Sequence, residues 1–152
     1  LYLTIYVAMT LGVFACILTM RRKEGMVYDI DELAGLARSR PMMAFILAML
    51  MFSLAGIPPL AGFFGKFYVF AAAMQAGLYT LAIIGVLTSV VGAFYYLRIV
   101  KLIYFDEAAE PFEPMPGELR VVLGLSGLFI VFFVFVAAPL EAAATAAAQS
   151  LF

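Results

Sequence analysis

Long apolar runs separated by short charged stretches set the hydrophobic pattern of this chain. At about 1.5 Å per helical residue, roughly 20 apolar residues cross the ~30 Å hydrocarbon core of a bilayer. Residues 1–20, 41–76 with an interruption, 78–104 and 121–140 are long enough. Between the first two runs, Ile30, Leu33, Leu36 and Ala37 recur at helical spacing beside Asp31, Glu32 and Arg38. That spacing predicts a short amphipathic helix on the membrane surface over residues 29–38. After Pro139 the alanine-rich tail predicts a further helix leaving the outer face. The expected fold class is all-α integral membrane, about four transmembrane helices in a single membrane domain over residues 1–152.

Composition supports the same solvent. Hydrophobic residues make up 66% and charged residues 12% of the chain, with a mean hydropathy of +1.11, too little polar surface for a soluble domain. Apart from Lys66 and Glu141, every charge falls between Arg21 and Arg40 or between Arg98 and Arg120. Lysine and arginine near span ends are retained on the cytoplasmic side. Arg21, Arg22, Lys23, Arg38 and Arg40 therefore place the first loop inside, and Arg98, Lys101 and Arg120 the third, while the turn at Gly77 carries no charge. Alternation puts both termini and Gly77 outside. The third connection, with Pro111, Pro114 and Pro116 among acidic residues, is expected to be irregular. Glu141 reads as a solvated or interfacial residue.

Because the basic cluster follows the first apolar run, that run reads as a span and not as a signal peptide. The chain begins at Leu1 within a span, so it is expected to be a fragment of a longer subunit. Histidine is absent and Cys16 is the one cysteine. No metal, haem or disulfide spacing exists here, and Cys16 is read as a packing residue.

The second apolar run contains SLAGIPPLAGFFGKFYVF. Pro58 and Pro59 each lack the N–H that an i to i−4 bond needs, which strips the carbonyls of Leu54 and Ala55 of their usual partners. Gly56 and Gly62 add backbone freedom on either side. Two half-helices joined by an irregular segment over Gly56–Gly62 are expected, and such a segment survives at membrane depth only against protein or a hydrated cavity. Proline kinks that merely shape packing are common in spans, so the prolines alone do not assign a function.

Lys66 does more, as the only charge between Arg40 and Arg98. Eleven residues below Gly77, it lies about 16 Å beneath the outer surface, near the midplane. A lysine there costs about 2.5–3.5 kcal/mol to insert and is normally retained for ion or proton movement or for an intramembrane pair. No acidic residue in the four runs is placed to pair with it. The positive N-terminal end of the second half-helix and desolvation both disfavour the ammonium, whereas free carbonyls at the end of the first half-helix favour it. A lysine so balanced can exchange its proton. Ser53, Tyr68, Thr88, Ser89 and Tyr95 are candidates for a polar path that orders water beside it, and Gln75 and Tyr96 are further polar side chains nearby.

FSLAGIPPLAGFFGKFYVF followed by SVVGAFYYLRIVKLIYF resembles the subunit N family of proton-pumping NADH-quinone oxidoreductase, respiratory complex I. The similarity runs over almost the whole chain and is strongest from Phe52 to Tyr104; the motif is shared with the wider antiporter-like superfamily. It implies the C-terminal part of a fourteen-helix subunit in which Lys66 takes the place of a proton-carrying residue in a broken helix. GFFG before the lysine and FYVF after it are most similar to subunit N, since the sister subunit M typically has glutamate there. The family's other proton-carrying residues would lie upstream of Leu1.

The resemblance further implies a bacterial inner membrane, other membrane subunits of complex I as partners, and no nucleic acid. NADH, FMN, iron–sulfur clusters and quinone would be bound by other subunits, since this chain has neither glycine-rich nor cysteine motifs for them. Two other readings stand beside it. One is a large subunit of a multisubunit cation/proton antiporter, which shares the motif; the other is a structural or assembly protein in which Lys66 anchors a partner helix.

Overall fold

Each apolar run becomes helix in a computed structural model that describes residues 1–150. The first run gives α1 (Tyr2–Leu18), the second gives α3 (Pro41–Ala55) and α4 (Ala61–Gln75), and the third gives α5 (Tyr79–Phe105). The fourth gives α6 (Gly117–Val131) and α7 (Phe133–Gln149). The last two residues of the tail lie outside the described residues. Among the described residues α5, with 27, is the one unbent helix long and apolar enough to span unaided, while α1 and α3 are apolar but shorter. Only 6% of the apolar window of α5 is buried, so most of its surface is left to meet lipid or other helices.

Small residues let the helices approach closely. A Cβ on Gly12 of α1 would come within 2.8 Å of the Ser126 Cβ of α6, and one on Gly127 of α6 within 2.7 Å of Ile46 of α3. Ile5, Leu50, Ile103, Ile130 and Phe133 are fully buried between these helices. Cys16 is buried and free.

The structure corrects the expected elements in three places. Residues 29–38 do not form one amphipathic helix: Ile30–Leu33 is a 3-10 turn and α2 (Leu36–Ser39) a single turn. Gly35, at φ 61°, interrupts them, and its N–H donates to Leu102 O at 3.0 Å. The irregular part of the second run ends sooner than Gly62, because Ala61 and Gly62 already belong to α4.

The fourth run, expected as one span over 121–140, bends by 85° between α6 and α7. No proline or glycine stands at the bend. It buries the Phe133 ring against Phe64 and Phe129, with centroids 5.6 and 5.7 Å away, and that apolar burial accounts for the turn of the chain. The sequence also gave no sign of the small hairpin β1 (Arg21–Arg22) and β2 (Gly25–Met26), in which Arg21 pairs with Met26.

The loops assigned to one side by their basic residues meet in the structure. Arg22 donates to Glu32 at 2.6 Å and to Glu110 O at 2.8 Å, and its guanidinium lies 5.5 Å from the Phe112 ring centroid. The Glu32 carboxylate raises the Arg22 pKa above its ordinary value. Arg40 donates to the carbonyls of Phe112 and Glu113, and Glu113 N donates to Arg21 O at 2.8 Å. Residues 106–116 have no regular structure and are held by these bonds.

Gly77 lies at the opposite end of α5 from this junction. Cysteines introduced at Gly77 and Ala108, both exposed, should therefore label with an impermeant thiol reagent from opposite faces of the membrane. The buried Cys16 should stay silent. Labelling of both from the same face would overturn the four-run topology.

Candidate functional site

The break in the second run is built from its own sequence. Gly56 closes α3 in the left-handed region at φ 90°, where a side chain is strained. Its N–H donates to Ser53 O at 3.0 Å and the Ile57 N–H to Phe52 O at 3.0 Å, the paired bonds of a Schellman end. Pro58 follows at once and cannot continue the helix.

The second half-helix starts against the first. Gly62 N donates to the Ser53 hydroxyl at 2.9 Å, so a side chain of α3 caps the N-terminus of α4 across the break. Ser53 is fully buried, and its hydroxyl donates in turn to Met9 Sδ at 3.0 Å. A Cβ at Gly62 would lie 1.9 Å from Ser53 O, so this crossing requires glycine. Ser53→Ala should leave the buried Gly62 N–H unpaired at a cost of about 1–2 kcal/mol. A lower thermal midpoint of the detergent-solubilised full-length protein would record it, and an unchanged midpoint would deny the cap its weight.

Lys66 sits in the second turn of α4 and is half-buried. Its Nζ donates to Ala55 O at 3.2 Å. That is one of the carbonyls the prolines deprive of a partner, so the break both creates the acceptor and brings it to the ammonium. The negative C-terminal end of α3 favours the charge that the positive end of α4 opposes. Gly56 keeps the approach open, since a Cβ there would stand 3.2 Å from Lys66 Cδ.

Two cavities meet at this lysine. One of about 310 Å³ runs between α4 and α5 and is walled by Phe63, Phe67, Phe70, Met74 and Val86, with Ser89 as its polar member besides Lys66. The other, of about 100 Å³, brings together Ser53, Tyr2, Tyr6, Gly65 and Tyr96.

The expected polar path is only partly assembled. Ser53 is at the site, but its hydroxyl is engaged in the cap. Ser89 lines the larger cavity and donates back to Gly85 O at 2.9 Å. Thr88 is exposed and also bonds Gly85 O, at 3.0 Å, and Tyr95 is 60% exposed, so neither reaches Lys66. Tyr96 takes the inward place, because one residue turns a helix face by about 100°. Tyr68, two residues past Lys66, points elsewhere and donates to Glu141 at 3.1 Å.

Sequence reasoning missed Tyr2 and Tyr6. Their spacing of four on α1 was the available signal, and their rings stack 6.1 Å apart. Among the described residues, no group of three His, Cys, Asp or Glu could hold a metal ion.

Residues 1–92, which carry α1, the break, Lys66 and half of α5, match the family described as NADH:quinone oxidoreductase/Mrp antiporter, TM. The chain belongs to this family. Among relatives of this antiporter family member, NADH-quinone oxidoreductase subunit N of Parvibaculum lavamentivorans is 69% identical, aligned with 99% of this chain and 32% of that protein. NADH-quinone oxidoreductase subunit N 1 of Rhizobium meliloti is 60% identical over 100% of this chain and 32% of that protein. A chain of respiratory complex I from Thermus thermophilus with bound aureothin superposes with a TM-score of 0.73 at 32% identity, covering 85% of this chain and 30% of that one. The chain thus spans about a third of the length of the relatives it matches. Its all-helical fold, with the second run broken, is the membrane fold of the antiporter family.

Proposed function

We propose that this chain is a segment of a proton-translocating membrane subunit of NADH-quinone oxidoreductase, subunit N, in which Lys66 carries protons coupled to quinone reduction. The observation that carries the proposal is the Lys66 Nζ bonded to Ala55 O across the broken helix, with a cavity on either side. Among the described residues this ammonium is held by a carbonyl and the end of a half-helix, with no carboxylate pairing that would lock it in the charged form. It can give up a proton and take one back as the spacing of the two half-helices changes.

The segment moves no electrons. NADH, FMN, iron–sulfur clusters and quinone belong to other subunits, and the partners are the neighbouring membrane subunits of complex I in a bacterial inner membrane. High identity to proteins named subunit N supports this reading over a multisubunit cation/proton antiporter. The structural or assembly reading needs an intramembrane acid beside Lys66. Among the described residues the ammonium's partner is a carbonyl instead.

Inverted membrane vesicles containing the full-length subunit with Lys66→Ala test the proposal. NADH-driven acidification and quinone reduction should both fall while the complex remains assembled on native gels. A parent-like NADH-driven gradient would refute the role of Lys66, and a gradient driven by sodium without NADH would favour the antiporter.

A further inference from the structure

Glu141 is the one acidic residue of this chain outside the two charged loops. The sequence places it beyond the fourth run, as a solvated or interfacial residue of the tail. The 85° bend before α7 brings it instead against α4, where the Tyr68 hydroxyl donates to Oε2 at 3.1 Å. Tyr68 is seven residues from Gln75, the last of α4, so the contact lies about 10 Å below the outer end of that helix. A carboxylate at that depth needs water or a polar partner; Glu141 is exposed there and has Tyr68 as its partner.

Two separate cavities, with no lining residue in common, lie along α4 between this pair and Lys66. Tyr68 and Glu141 line an outer cavity of about 490 Å³, together with Leu1, Thr145 and Gln149. Gly65, one turn below Tyr68 on the same face of α4, lines the cavity of about 100 Å³ that Lys66 also walls. Tyr2 beside Leu1 closes the gap, and a Cβ on Gly65 would meet its ring at 3.4 Å. A space of about 100 Å³ is roomy enough for water, and Tyr2, Tyr6 and Tyr96 supply its polar wall.

We propose that Glu141, oriented by Tyr68, is the group through which protons pass between Lys66 and the outer side of the membrane. This rests on the proton-carrying role assigned to Lys66. An N–H bond of the ammonium breaks and leaves a neutral amine; the proton crosses the cavity water and an O–H bond forms on Glu141. Release to bulk water restores the carboxylate, and Lys66 regains a proton from the inner side. Because Tyr68 occupies Oε2 and nothing among the described residues bonds Oε1, the second oxygen is open to receive it.

The full-length subunit in its assembled complex, with Glu141→Gln, Glu141→Asp, Tyr68→Phe and Lys66→Ala compared in inverted vesicles, tests this. Glutamine still accepts the tyrosine's hydrogen bond but cannot titrate. Glu141→Gln should lower NADH-driven proton translocation several-fold, towards the Lys66→Ala level, while Glu141→Asp keeps most of it and Tyr68→Phe loses less than Glu141→Gln. If Glu141→Gln pumps like the parent while Lys66→Ala does not, Glu141 has no proton role and the Lys66 reading survives. If both pump like the parent, the Lys66 reading falls and this one with it. Should Glu141→Gln fail to assemble, a carbodiimide applied to the outer face of the parent complex decides. Modification located at Glu141 by peptide mass must slow pumping, and modification without slowing overturns the proposal.

Discussion

Arginine at position 66 is expected to leave the complex assembled and its pumping about 10²-fold slower, the lower end of what a positioned proton-transfer group contributes. Arginine keeps the positive charge and can still donate to Ala55 O, so a purely structural ammonium would be replaced well. It scarcely releases a proton, however, and its planar fork is bulkier than the lysine tip. Glutamate, which titrates when buried, should recover part of the activity although it reverses the charge and loses the donor to Ala55 O. The ordering parent, Glu, then Arg and Ala together is the signature of proton exchange. NADH-driven acidification of inverted vesicles, normalised to assembled complex, measures it. Parent-like pumping by Lys66→Arg would mean that charge alone matters and that proton exchange here is not required.

Gly62→Ala is expected to be among the most damaging single-methyl additions in the chain. The new Cβ would fall 1.9 Å from Ser53 O and 2.7 Å from Ser53 C, both backbone atoms that no side-chain rotation can clear. The half-helices must move apart, which breaks the Gly62–Ser53 cap and carries Ala55 O away from Lys66. Overpacking of this kind typically costs about 1–3 kcal/mol, and a backbone collision lies at the upper end. Gly124→Ala is the control, since nothing meets a Cβ there and alanine favours helix over glycine. A fall in the thermal midpoint and in pumping for Gly62→Ala, with Gly124→Ala unchanged or slightly more stable, is the expected pair. Equal behaviour of the two would show that the half-helices are not pressed together as described.

The helices and the break were legible in the sequence because they follow from local chemistry. Apolar length fixes which segments a bilayer accepts, and two prolines remove two N–H groups wherever they stand. The prolines freed two carbonyls, those of Leu54 and Ala55, and the structure shows Lys66 bonding the second, 11 residues away. Lys66 stood out because a charge in a long apolar run is costly in any arrangement. What only the tertiary structure decided are contacts between segments far apart in the chain. Ser53 was readable as a polar side chain near the break, but its commitment to capping α4 depends on how the half-helices cross. Tyr95 and Tyr96 are equivalent in composition, and the packing of α5 alone determines which of them turns towards Lys66. The bend before α7 has no local helix breaker; burial of Phe133 against Phe64 and Phe129 sets it, and that long-range apolar packing is what moves Glu141 from the end of a tail to the side of α4.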